Sequence, residues 1–266
     1  MLILNRKLIA GLFVLAISQS ASAQLVATYQ FNNTLNADEI GVPALISLNA
    51  GSFVTDMDVL GQTRTVYQRT ANNTAEQSAL RLDTSPLGLT ANNYAVQLVF
   101  TFTDTLDSRG TGGYRRIVDS FDPSNLQDPG FYVGPGDYLN IYQSGPHYGG
   151  PALTNGTYYD VVLSVSPSGE NAYQNGALAV SHTGTPDAIQ SHFLSFFQDE
   201  SYEYGNGKVA LIRVFDAALS SNEVAALNNN GNPFPTSVPV PPAFINALTG
   251  LIPGVIMLIR RRKQKE

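Results

Sequence analysis

Between residues 24 and 232 the chain alternates short apolar runs with clusters of Gly, Pro, Asn and Asp, and a helical repeat is nearly absent. That punctuation predicts an all-β body in which the runs are strands and the clusters are turns. The clearest run is 94–102, where Tyr94, Val96, Leu98, Phe100 and Phe102 fall on one face of a two-residue repeat. Further strands are predicted at 25–31, 116–120, 130–133, 138–142, 157–165, 192–197 and 208–215. Between the runs 170–174 and 177–181 stands Asn175-Gly176. Both residues of that pair tolerate positive φ, so it predicts a two-residue hairpin turn. Residues 36–80 carry apolar patches at Ala44-Leu45-Ile46 and Val59-Leu60 but little alternation, and predict irregular strands or an ordered insertion. One short helix is expected near 221–228. Ser220 and Glu223 have the spacing of a capping box, Val224 and Leu227 supply an apolar face, and the run Asn228-Asn229-Asn230-Gly231 ends it.

The two ends break this pattern. Arg6 and Lys7 precede an uncharged apolar run at 8–17, and Ala21-Ser22-Ala23 places small residues where a signal peptidase cuts. The pattern predicts a secretory signal helix over 1–23, with Gln24 beginning the mature chain. At the other end, 233–242 is rich in proline and predicts an extended spacer. Residues 243–259 then carry no charge and predict a short membrane helix, which Asn246 and Pro253 weaken. The basic run Arg260-Arg261-Arg262-Lys263 follows at once, and 260–266 is expected to stay cytoplasmic with the body outside.

Charge changes the picture of partners. The body from Gln24 to Pro235 holds eight Lys and Arg against twenty Asp and Glu, a net charge of −12. Such a surface argues against nucleic acid, whose phosphates need a basic face. It suits an exported domain and leaves cation binding open. The chain has no cysteine, so its core has no disulfide framework to lean on.

Candidate chemistry is sparse. His147, His182 and His192 lie in neither a nucleophile-elbow nor a zinc-protease context, and no strand carries paired carboxylates at glycosidase spacing. A non-catalytic role is therefore expected. Two acidic loops offer oxygen ligands for calcium: Asp119, Asp122 and Asp128 in the first, and Asp199, Glu200 and Glu203 in the second. Their spacing is not that of a dedicated calcium loop, and solvated turn acids are the plainer reading of it. Tyr138, Tyr142, Tyr148 and Tyr202 fall in or beside Gly/Pro-rich loops and are candidates for holding a sugar, though tyrosine is also an ordinary strand residue. Arg115 and Arg116 are expected to pair with nearby acids such as Asp119.

Four segments of the body resemble the laminin-G-like, concanavalin-A-like jelly-roll superfamily: 94–100, 155–163, Tyr173-Gln174-Asn175-Gly176 and 207–224. The chain carries Tyr158 and Asp160 where that family's strand usually has Trp and His. The resemblance implies an antiparallel jelly-roll β-sandwich over 24–232 and, from some relatives, calcium on loops at one end. It specifies no ligand. The tail is similar to the PEP-CTERM class of bacterial sorting signals in a Val-Pro-x-Pro variant, through Val238, Pro239, Val240, Pro241, the apolar segment and Arg260 to Lys263. Val240 stands where the usual form has Glu. This second resemblance implies an exosortase-type processing enzyme as partner and a temporary anchor in the cytoplasmic membrane. Together they point to an exported envelope or extracellular-matrix protein that contacts polysaccharide or surface proteins. The rivals are a calcium-dependent lectin or adhesin, a glycan-active enzyme and a plain structural spacer.

Overall fold

The structure is a computed structural model that describes residues 22–49, 51–70, 79–104, 113–120, 129–186, 188–198, 203 and 205–234. Residues 1–21, where a signal segment is expected, and residues 235–266 lie outside the described residues.

Two antiparallel sheets face each other. In the first, the strand order is β13 (Ala177–Thr183), β12 (Gly169–Gln174), β11 (Tyr159–Ser166), β6 (Tyr94–Phe102), β15 (Gly207–Phe215), β4 (Thr63–Arg69) and β3 (Ser52–Met57). β1 (Leu25–Tyr29) pairs with the second half of β15 and β4 with its first half, so the two lie end to end along one strand. The second sheet runs β10 (Pro146–Gly149), β9 (Leu139–Tyr142), β8 (Gly130–Val133), β7 (Arg115–Asp119), β14 (Phe193–Phe196), β5 (Leu80–Asp83) and β2 (Ile46–Ser47).

The inner faces meet in the main core. Tyr94, Val96, Leu98, Phe100 and Phe102 of β6 pack there, as their alternation predicts, with Phe131, Val133, Leu139, Ile141, Leu194 and Phe196 from the opposite sheet. The other face of β6 is equally dry: all nine of its residues are buried. Under the helix α1 (Ser221–Asn228), Ala95, Val162, Tyr173, Phe215 and Val224 form a second cluster. Beside it Val66, Val99, Tyr158, Leu211 and Phe234 form a third. Phe234 and Pro233, which composition places in the spacer, are thus buried against the body.

A polar seam holds this outer layer down. The Asp160 carboxylate accepts from Asn228 Nδ2 of α1 at 2.9 Å and from Gln97 Nε2 at 2.8 Å, and Gln97 Oε1 accepts from Arg213 at 3.0 Å. Asp160 O also accepts from Asn175 N at 2.7 Å, and Asp160 N donates to the Asn175 side-chain Oδ1 at 3.1 Å; the φ of 50° at Asn175 and 82° at Gly176 make the expected hairpin turn. Burial pushes the Asp160 carboxyl up, against the pull of Asn228, Gln97 and Arg213. The helix itself starts as predicted, with Ser220 and Glu223 each capping the other's backbone.

The region 36–80 contains β2, β3, β4 and the first residue of β5. Its weak alternation has a physical cause. β3 is a sheet edge with Ser52 and Met57 exposed, and β4 buries Arg69, a residue type that seldom signals a core. The Arg69 guanidinium stacks 3.6 Å over Phe197 and donates to Gly205 O at 3.1 Å.

The seam makes a prediction. Asp160→Ala leaves two buried amide donors without their acceptor and should cost about 3 kcal/mol in denaturant unfolding. Because the folded carboxyl titrates above its unfolded value, this group loses stability as pH rises above about 4. Asp160→Asn should abolish that slope, and an unchanged pH profile would contradict the assignment.

Candidate functional site

The outer face of the second sheet carries the most distinctive side chains. Arg116 of β7 stands opposite Tyr132 of β8, Tyr132 opposite Asn140 of β9, and Asn140 opposite Tyr148 of β10. Directly opposed residues share a face, so the register alone lines these four in one row. Tyr142 lies two residues along the same strand as Asn140, and Tyr114 just precedes β7. Three rings meet edge to face. Tyr114–Tyr132, Tyr114–Tyr142 and Tyr132–Tyr142 have centroids 5.8, 6.1 and 6.3 Å apart, within the range of favourable aromatic pairs. With Glu203 they line an open pocket of about 140 Å³. Glu203 is brought there by its carbonyl, which accepts from Arg116 N at 2.6 Å.

Below the rings, Arg116 is buried with its guanidinium 4.0 Å over Tyr132 and donates to Pro129 O at 2.8 Å. Gly130 makes this possible: a Cβ there would lie 1.9 Å from Arg116 Nη1. Gly134 does the same for the neighbouring pair, since its Cβ would come 2.5 Å from the Tyr148 ring. The Tyr114 and Tyr148 hydroxyls meet at 2.5 Å. Burial, then the hydrogen bond from Tyr148 and the charge of Glu203, hold the Tyr114 phenol well above its ordinary range. It is a neutral hydroxyl at any physiological pH. Asn140 accepts from His147 N at 2.8 Å, while its Nδ2 is buried without a hydrogen-bond partner among the described residues.

The arrangement offers aromatic faces in a shallow hollow, phenol hydroxyls at its rim and a carboxylate at one side. It can stack on a ligand rich in C–H groups and orient it by hydrogen bonds. Of the sequence candidates, Tyr142 and Tyr148 belong to it. Tyr138 does not join the ring contacts; it folds over Gly136 and is 42% exposed. Tyr202 lies outside the described residues. Tyr114 and Tyr132 were not expected. Tyr132 sits between Phe131 and Val133 and reads as core, and only the strand register turns it to the other face.

The calcium candidates are less well placed. Asp119 is buried at the end of β7 opposite Ser195. Asp122, Asp128, Asp199 and Glu200 lie outside the described residues. Among the described residues no group of three or more His, Asp or Glu stands close enough to hold a metal ion. Arg115 finds its carboxylate in Asp137, at 2.6 Å, with its guanidinium 4.2 Å over Phe102. Near the first described residues, Ala23 packs against the cluster under α1 and Gln24 N donates to Asp216 Oδ1 at 2.7 Å. Ala21 and the residues expected to form a sorting signal, Val238, Pro239, Val240, Pro241, Arg260, Arg261, Arg262 and Lys263, lie outside the described residues.

No protein-family model matches the chain, and no curated protein matches it in sequence. Solved structures do match in shape. Domain 4 of AbnA, a GH43 extracellular arabinanase from Geobacillus stearothermophilus in complex with arabinotriose, is similar at a TM-score of 0.56 and 19% identity, covering 78% of this chain and 99% of that domain. The binding domain of Paraclostridial Mosquitocidal Protein 1 is similar at 0.57 and 13% identity, covering 77% of this chain and 52% of that one. The binding domain of Botulinum Neurotoxin DC in complex with SialylT gives 0.56 and 12% identity over 79% and 51%. The chain thus spans about half the length of the toxin binding domains. At these identities the likeness concerns the fold: the chain is an antiparallel β-sandwich of the kind found in these binding domains.

Proposed function

We propose that this chain is an exported, non-catalytic binding protein that contacts polysaccharide with the tyrosine face of its second sheet. The observation that carries the reading is the group Tyr114, Tyr132, Tyr142 and Tyr148, gathered on one outer face with an open hollow between the rings. An ordinary outer sheet face is polar and wet, and rings gathered beside an open hollow are a binding device. The arabinotriose and SialylT bound to two similar domains support a saccharide as the ligand class. A surface protein presenting such a saccharide is an equivalent partner.

The finer affiliation is with laminin-G-like jelly rolls. The hairpin at Asn175-Gly176 and the capped helix after β15 support it, since both stand where that resemblance puts them. Export, processing by an exosortase-type enzyme and a final place in the envelope or matrix rest on the terminal sequence patterns. The Gln24 nitrogen supports the first cleavage: a new α-ammonium there would already face the Asp216 carboxylate.

Two tests follow. In a panel of neutral and acidic oligosaccharides, the protein should bind at least one, and Tyr142→Ala and Tyr148→Ala should each weaken that binding about tenfold, or ~1.4 kcal/mol, while leaving the thermal midpoint within a few degrees. Full binding by both variants would refute the tyrosine face. Intact mass of protein from producing cells should show a body that starts at Gln24 and ends near Val238, released or modified. A chain running through Glu266 and found only in the membrane would contradict the sorting reading.

A further inference from the structure

The turn between β3 and β4 is fixed from within by one carboxylate. Asp58 is 6% exposed and accepts from Leu60 N at 2.8 Å, Gln62 N at 2.9 Å and Arg64 Nε at 2.9 Å. Its backbone adds bonds to Gln62 O and from Gly61 N, both at 2.9 Å. The one charge of the turn is therefore buried and matched. Just behind it, Asp56 is engaged by Lys208 at 2.8 Å and by the Tyr158 hydroxyl at 3.0 Å. What this rigid turn presents is apolar: Met57 is 62% exposed, Val59 37% and Leu60 38%. Three apolar side chains held into water together on a braced hairpin are not explained by the packing of the fold itself.

The position of the last described residue points to an explanation. Phe234, the last described residue, lies under the Arg64 guanidinium at 3.3 Å, and Arg64 is the residue that clamps Asp58. The described chain thus ends beside the hairpin. Beyond it come eight residues, 235–242, four of them proline, and then the uncharged run 243–259. An extended proline-rich tether of that length reaches roughly 25 Å at about 3.1 Å per residue.

We propose that the β3–β4 tip docks on the lipid bilayer that receives residues 243–259, with Met57, Val59 and Leu60 at the boundary between headgroups and acyl chains. The proposal rests on the sorting reading above and concerns the stage before the tail is cut, while residues 243–259 still anchor the chain. A bilayer fits the tip because the tip carries no unmatched charge, and because the tether holds it near the membrane at high effective concentration. Phe234 sits on the outer face of the first sheet with Val99 and Leu211, so the last described residue and the tyrosine face lie on opposite outer faces of the sandwich.

The chain has no cysteine, so a single introduced one takes a fluorophore at one position. Full-length protein carrying Leu60→Cys or Leu178→Cys, each labelled with an environment-sensitive dye, is reconstituted into phosphatidylcholine vesicles with and without brominated lipid. Leu178 is the control: it is 55% exposed on β13, the far edge of the same sheet. The expected result is co-flotation with vesicles and lipid quenching at position 60 but not at 178. Co-flotation with neither label quenched, or with both quenched alike, overturns the docking and leaves the tether standing. Failure to co-float overturns the tether and the docking together.

Discussion

Strand β6 has no wet face, and the rest of the body is arranged to keep it that way. Its inner residues need a second sheet, which supplies Phe131, Ile141 and Phe196. Its outer residues need a lid, which α1 and the stretch ending at Phe234 provide. A strand buried on both sides must also account for its own polar side chains. Gln97 does so by bridging Arg213 and Asp160, and Asp160 in turn carries Asn228 of the helix. With no disulfide in the chain, this packed centre and its one polar seam carry the stability of the fold.

Much of that was legible in the sequence because burial leaves a pattern. The inner face of β6, the Asn175-Gly176 turn and the Ser220–Glu223 cap were each readable from residue type and spacing, and each stands where it was expected. The strands in 36–80 were not, since an edge strand with exposed positions and a buried arginine has no periodic signature. The candidate site was half legible. Tyr142 and Tyr148 stand near glycines and prolines and drew notice as loop residues. Tyr132 is hidden in a hydrophobic run, and Tyr114 borders two arginines. Their convergence depends on pairing between β7, β8, β9 and β10, which is long-range information that no local pattern contains.

The sandwich therefore has two unlike outer faces. On the first sheet the centre of the outer face is covered, and it holds Phe234, the last described residue. On the second it is open and aromatic. Buried Arg116 supports the rings from below, and the two glycines beneath them remove the side chains that would block the approach. Four of the body's arginines, Arg69, Arg115, Arg116 and Arg213, are buried, so cations serve the interior of this acidic protein more than its surface. That division suits recognition by stacking and hydrogen bonding better than recognition by positive charge.

Hydrogen exchange of the intact body, with and without the oligosaccharide that binds it tightest, tests this account most directly. Protection confined to the segments around Tyr114, 129–133 and 139–149, with the first sheet unchanged, is the predicted result. Protection of loops at the sandwich ends, with the tyrosine strands unaffected, would contradict the claim that this face is where the protein meets its ligand.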